Sequence, residues 1–330
     1  MFETGRNTYQ GTAYKELEYL GRIDGNKTFI SHQSSTFTAL TLNCLGRTGS
    51  SLMMRYLGLH PSISIAGQHP FEVAVARYYF RRTRRQCSNC EDWFENQFAQ
   101  NLDGQQNPWY QYEQVQWMGE HQTDFFGRSQ ISREIELCRA TVDDFYQGFT
   151  DEAVNPKYFC EKLGSGIVDH DDLKEVWPNA KRIILIRDFR DNFASMLSYC
   201  NRKGSKEFGL QFFNKESDWI ESLAKKAKQM LSEYQRGSSH FVFYEQLVHN
   251  PIEVLTSLFE ELGIDNTDKL VNKIVKECAD SITVPELYSH MTSKTVGASI
   301  GRWSQDVPDD LMHVVEQEFA EALRGFGYIS

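Results

Sequence analysis

Two groups of residues in this 330-residue chain have the types and spacing for chemistry on an anion. The first is Gly46-Arg47-Thr48-Gly49-Ser50-Ser51, which follows the apolar run ending at Leu45 and opens an apparent helix. A strand, a glycine turn and a helix N-terminus bring backbone N–H groups and the positive end of the helix dipole to one point, which suits a phosphate-like group. An ATP-type loop reads Gly-x-x-x-x-Gly-Lys-[Ser/Thr]. Here two residues separate Gly46 from Gly49, no Lys follows, and the cation is Arg47 inside the loop. The second group is Arg187, at the end of the apolar run Ile183–Ile186, with Ser195 further along the helix that follows. Ligands of open α/β sheets bind at the carboxyl ends of strands, so Arg187 falls on the same edge as the Arg47 loop. A guanidinium and a hydroxyl so placed can share one phosphate. Taken alone, Arg187-Asp188 and Arg190-Asp191 read equally well as local ion pairs at a helix start.

The elements that must position these residues alternate. Strands are predicted at Ala39 to Leu45, Arg182 to Ile186 and His240 to Tyr244, each short and apolar or β-branched. Helices are predicted from Ser50 to Gly58, Asp191 to Cys200, Asp218 to Tyr234, Pro251 to Leu262 and Pro308 to Arg324. Alternation of this kind makes an α/β fold of three layers, a central parallel sheet flanked by helices. Residues 71–151 turn aromatic, Gln-rich and charged with weak periodicity. They are expected to form a helical insertion or cap over the active face that carries acceptor specificity. No repeat or linker divides the chain, so one domain over 1–330 is expected.

Composition narrows the function. A hydrophobic content of 40% with 13% aromatic supports a sizeable core, and a net charge of -10 argues against a general nucleic-acid binder. Met1 to Tyr19 lacks a signal-type apolar stretch, and no run of about eighteen apolar residues suggests a membrane span. A soluble, cytoplasmic protein is expected. Seven scattered cysteines read as reduced thiols. Cys87 and Cys90 form a C-x-x-C with no second pair of ligands at zinc spacing, so no metal site is expected.

Four pieces in order resemble the sulfotransferases that use 3′-phosphoadenosine-5′-phosphosulfate (PAPS): Gly46–Ser51, Leu185–Asp191 with Ser195, Phe243-Tyr244-Glu245-Gln246-Leu247, and Ser299-Ile300-Gly301-Arg302-Trp303. The likeness is to the branch with an Arg-x-Gly-Ser-Ser loop, of carbohydrate and bacterial type, whose fold resembles that of P-loop proteins. It implies that Arg47, Thr48, Gly49, Ser50 and Ser51 hold the 5′-phosphosulfate, with Arg47 where cytosolic members have Lys. It further implies that Arg187 and Ser195 bind the 3′-phosphate, that Tyr244 approaches the adenine, and that Arg302 closes over the 3′-phosphate side. Lys162, in Phe159-Cys160-Glu161-Lys162, resembles a Glu-Lys segment before the family's second strand and would neutralise the sulfuryl group. The product would be 3′-phosphoadenosine 5′-phosphate (PAP).

Sulfuryl transfer asks for positioning, charge neutralisation and a general base for the acceptor hydroxyl. Related enzymes place the base in the part of the chain that corresponds to Gly67-Gln68-His69-Pro70-Phe71-Glu72, where Glu72 and His69 compete. His is the easier base near neutral pH, and Glu72 matches the carboxylate branch. Either residue can equally serve a helix cap or a turn. The acceptor is expected to be a hydroxyl on a small molecule, sugar or carrier-bound metabolite. The alternatives are a nucleotide phosphotransferase of the P-loop class and a non-catalytic binding module on the same fold. Other polar features stay open: the basic run Arg77, Arg81, Arg82, Arg84 and Arg85, the histidines 121, 170 and 290, and the aromatics Trp109, Tyr110, Tyr112 and Trp117. The oligomeric state is not legible.

Overall fold

The computed structural model describes residues 37–67, 69–87, 128–149, 156–164, 173–174, 176–281, 292–293 and 295–330, with the backbone alone at 84–87 and 128–133. All of them lie within one compact unit, Ser35–Ser330. Its centre is a five-stranded sheet whose pairings are all parallel: β1 (Thr38–Cys44), β2 (Ile63–Ser64), β3 (Tyr158–Gly164), β4 (Lys181–Ile186) and β5 (His240–Phe243). The spatial order is β2-β3-β1-β4-β5. From β1 the chain goes to the edge strand β2, returns to insert β3 between them, and then crosses to β4 and β5 on the other side, so β1 marks the switch point, where ligands of such sheets bind at the carboxyl edge.

Both faces of the sheet are covered, which is why β1 and β4 are buried almost end to end. On one face Leu40, Leu42, Cys44, Cys160, Ile183 and Leu185 pack under α1 (Ser50–Gly58) and the C-terminal helix pair Pro251–Leu262 and Asp268–Asp280. On the other, Ile184 and Ile186 meet Phe193, Trp219, Met230 and Phe319 from helices 189–203, 216–236 and 309–325. Ala39, Phe159 and Leu163 on that second face meet Ala76 and Phe80 of α2 (Val75–Cys87) and Cys138, Val142 and Tyr146 of α3 (Arg128–Gln147). Burying each such aliphatic or aromatic side chain contributes roughly 1.5–3 kcal/mol.

The predicted strands and helices are found with ends shifted by three residues or fewer, and the Ser50–Gly58 and Pro251–Leu262 helices have the predicted ends. One strand was not expected: Phe159–Lys162, which comes before the Arg182–Ile186 strand, lies inside β3, whose charged pair hides the strand signal. The two described helices of 71–151 pack as a layer on the sheet, and residues 88–127 and 150–151, on which the expected cap also rests, lie outside the described residues.

Glu161 is what anchors that layer. Its side chain, 1% exposed, accepts from the backbone N–H of Ala76 (2.5 Å) and Arg77 (3.1 Å) in the first turn of α2 and from the hydroxyl of Tyr146 (2.6 Å) on α3. A carboxylate at a helix N-terminus satisfies donors that the helix itself cannot. Burial nevertheless raises its pKa to about 6, opposed by the Tyr146 and backbone hydrogen bonds. A folded-state pKa raised above the unfolded value means stability present at low pH and lost as pH rises through about 6. Glu161→Gln should remove this slope: denaturant unfolding of the two proteins at pH 4.5 and pH 6.5 should show wild type losing about 1.5 kcal/mol relative to the variant. Parallel pH profiles would refute the assignment.

Candidate active site

The loop after β1 is folded by its own side chains. Thr48 is buried, donates its hydroxyl to the Leu45 carbonyl (2.5 Å) and accepts from the Asn192 amide (2.9 Å), so its side chain serves the loop and leaves the backbone to face a ligand. Gly49 is the N-cap of α1 in the left-handed region (φ 90°), with no side chain capping the helix. A Cβ there would lie 2.4 Å from the Tyr244 ring, so glycine is needed both for the turn and for the close approach. Ser50 and Ser51 open the helix whose first N–H groups face the crevice edge. Arg47 also has positive φ (63°), which costs a non-glycine residue of order 1–3 kcal/mol unless neighbours hold it.

Arg187 is the neighbour that holds it. At the end of β4 and 4% exposed, it donates one Nη to the Arg47 carbonyl (2.9 Å) and the other to the Ser299 carbonyl. Its plane lies 4.8 Å from the Tyr244 ring centroid, and Tyr244 hydroxyl shares a hydrogen bond with Ser299 Oγ (2.9 Å). The Nε of Arg187 is buried without a partner among the described residues. Tyr244 opens the helix after β5, sandwiched between Gly49 and Arg187.

Ser195, 3% exposed on α4 (Phe189–Lys203), sits at the centre of the remaining cations. Arg47 Nε lies 3.4 Å from its Oγ, and Thr292 Oγ1 3.1 Å away is the same oxygen that accepts from Arg302 Nη1 at 2.8 Å. Arg302 also donates to Ser198 Oγ (3.1 Å) and pairs with Asp306. Arg47 stacks on Tyr199, 4.9 Å from the ring centroid. Burial, with smaller contributions from Arg187, Arg202 and Arg302 against the opposing effect of Tyr199, lowers the Arg47 pKa to about 10. Crowded guanidinium groups of this kind are stabilised by a bound anion.

At the other end of the crevice, Lys162 near the end of β3 donates to the Pro70 carbonyl (2.7 Å) and pairs with Glu72 (2.5 Å). Lys162 is 8% exposed while Glu72 is 67% exposed, so the carboxylate reaches outward from an anchored ammonium. Both act electrostatically on Cys44 at the end of β1, whose thiol burial pushes up to about 11. His69 precedes Pro70 and makes an edge contact with Phe71 (ring centroids 6.2 Å). The structure therefore brings Arg47, Gly49, Arg187, Ser195, Tyr244 and Arg302 into one cluster and pairs Glu72 with Lys162 beside the end of β1.

Sequence reasoning missed Ser198, Tyr199, Asp191, Thr292 and Ser299. Tyr199 stands four residues beyond Ser195 on one helix, a spacing that puts both on one face. The others contribute through folding of the C-terminal segment onto α4, which no local pattern announces. Five cysteines with described side chains (Cys44, Cys138, Cys160, Cys200 and Cys278) are buried thiols outside any disulfide. Cys90, the side chains of Cys87, Arg84 and Arg85, the histidines 121, 170 and 290, and the aromatics 109, 110, 112 and 117 lie outside the described residues.

No curated protein matches this chain in sequence. Among solved structures, the sulfotransferase domain of the olefin synthase from Synechococcus PCC 7002 is similar over 92% of this chain and 100% of its own, at 16% identity and a TM-score of 0.50. The sulfotransferase domain of the curacin biosynthetic pathway (16% identity, 90% of this chain, 99% of its own, TM-score 0.49) and mouse sulfotransferase SULT7A1 complexed with PAP (12%, 88%, 86%, 0.46) are further neighbours. The first of these shares the fold. The sequence model described as "Sulfotransferase family" matches residues 42–268. That stretch contains the Gly46–Ser51 loop, the Glu72 and Lys162 pair, Arg187 with Ser195, and Tyr244, and by this match the chain belongs to the sulfotransferase family.

Proposed function

We propose that this sulfotransferase moves a sulfuryl group from PAPS to the hydroxyl of a small molecule, sugar or carrier-bound metabolite, in the cytoplasm, as one domain whose 71–151 stretch sets acceptor choice. The observation that carries the donor assignment is the chain of contacts that joins Arg187 to the Arg47 carbonyl, Arg47 to Ser195, and Ser195 through Thr292 to Arg302, next to a helix N-terminus that no side chain caps. The loop after β1 and the cations around Ser195 are two neighbouring sources of positive charge, which suits a nucleotide with phosphate on both its 5′ and 3′ sides.

PAPS supplies an activated sulfuryl group on a phosphate leaving group. The backbone N–H groups of Gly49, Ser50 and Ser51 and the Arg47 loop would bind the 5′ side, and Arg187, Ser195 and Arg302 the 3′-phosphate. Tyr244, packed flat on Gly49, would present its ring edge to the adenine. Lys162, held by Pro70, would neutralise charge on the transferring group, and Glu72, oriented by Lys162, would take the proton from the acceptor hydroxyl. Transfer thus needs preorganised charge more than covalent participation.

Calorimetry should show PAP binding well above AMP and ATP, with Arg187→Ala weakening PAP by at least roughly thirtyfold, as loss of a charge-assisted contact requires. Preference for ATP, or no binding, would return the chain to the phosphotransferase or binding-module alternatives. With a hydroxyl acceptor found by screening, Glu72→Gln should lower kcat by about 10²–10⁴-fold and leave PAP affinity unchanged, while His69→Ala does little. The opposite pattern would hand the base to His69.

A further inference from the structure

Asp191 has no role toward a ligand in the assignments above, yet it is 1% exposed and its carboxylate bonds the segment that carries Arg302. It lies in the first turn of α4, a turn already capped by Asp188, which accepts from Arg190 N–H at 3.0 Å. Its carboxylate instead crosses to the C-terminal segment: Oδ2 accepts from Gly301 N–H (2.6 Å) and Oδ1 from Trp303 N–H (3.0 Å). These two donors flank Arg302. Gly301 takes φ 74° there, and Trp303 is covered by the Arg190 guanidinium, 4.2 Å from its ring centroid.

We propose that Asp191 is a positioning residue for recognition of the 3′-phosphate: by gripping the amides on either side of Arg302, it fixes that guanidinium beside Ser195. The inference rests on the donor reading above. A bidentate carboxylate grip fixes both the height and the rotation of a backbone segment, whereas either bond alone leaves a swivel. The Arg302 side chain is then held in one rotamer by its bonds to Thr292 and Ser198 and its pairing with Asp306, and its side-chain entropy is spent before a ligand arrives. Arg187 reaches the same segment at the Ser299 carbonyl, so α4 and the end of β4 hold it at three points along five residues, Ser299 to Trp303. Burying Asp191 costs solvation and raises its pKa against the pull of those two amides, a cost that placement of Arg302 explains.

The test is calorimetric titration with PAP and with AMP, which differ by the 3′-phosphate alone. Asp191→Ala should weaken PAP by at least roughly tenfold, as loss of charge-assisted hydrogen bonds implies, and leave AMP unchanged. Arg302→Ala should show the same selective loss, and the double variant no further loss, because the two act as one unit. Equal weakening of PAP and AMP, no weakening of PAP, or additive losses would overturn the assignment. If wild type itself does not prefer PAP to AMP, the donor reading fails and this inference with it; if wild type prefers PAP and the variant does too, undiminished, only the role of Asp191 fails. Should Asp191→Ala not fold, Asp191→Asn keeps one acceptor, and a PAP-only loss of a few-fold is expected; unchanged PAP affinity in that variant would also refute the role.

Discussion

The buried guanidinium of Arg187 is the interaction on which the rest of the cluster depends. A cation at 4% exposure is costly unless its donors find partners, and here both Nη groups do, at backbone carbonyls of two segments far apart in sequence, Arg47 and Ser299. The bond to the Arg47 carbonyl solvates part of the charge and at the same time holds Arg47 at its positive φ, so one contact works against both costs. Tyr244 completes the arrangement by filling the space between Arg187 and Gly49. Removing any of the three loosens the other two.

The two ends of the crevice are built differently. The arginine cluster is backbone-rich and deeply buried, with crowded cations whose mutual repulsion an anion would relieve. The Glu72 end is open, and its carboxylate pairs with a buried lysine. On the proposed function, the buried half would meet the nucleotide and the more exposed half the acceptor, a workable division for group transfer.

Much of the arginine cluster was legible in sequence because it uses short-range grammar: an apolar strand, a turn glycine and then a helix, with charge at the junction. Arg47, Arg187, Ser195 and Tyr244 all follow the carboxyl ends of β1, β4 and β5 directly or within a few turns, so locating the strands located the residues. β3 escaped because Glu161 and Lys162 interrupt its apolar pattern, and they do so because each has a separate partner on its own side of the sheet. The helices in 71–151 were readable as helices but not as a packed layer, since Glu161 sets their docking and sits about eighty residues away from the amides it accepts. Thr292, Ser198 and Asp191 were silent for a similar reason: their relation to Arg302 exists only once the C-terminal segment lies on α4.

Glu161 and Lys162 are consecutive, and a strand sends consecutive side chains to opposite faces. One faces the α2 and α3 layer and the other the segment that carries Glu72. The strand therefore works like a parity code. Adding or deleting a single residue between Tyr158 and Glu161 would exchange the carboxylate and the ammonium, placing a cation under the first turn of α2 and an anion beside the Glu72 carboxylate. A change of two residues would preserve the assignment of faces while shifting only height, so drift in the length of this strand is permitted in steps of two and forbidden in steps of one.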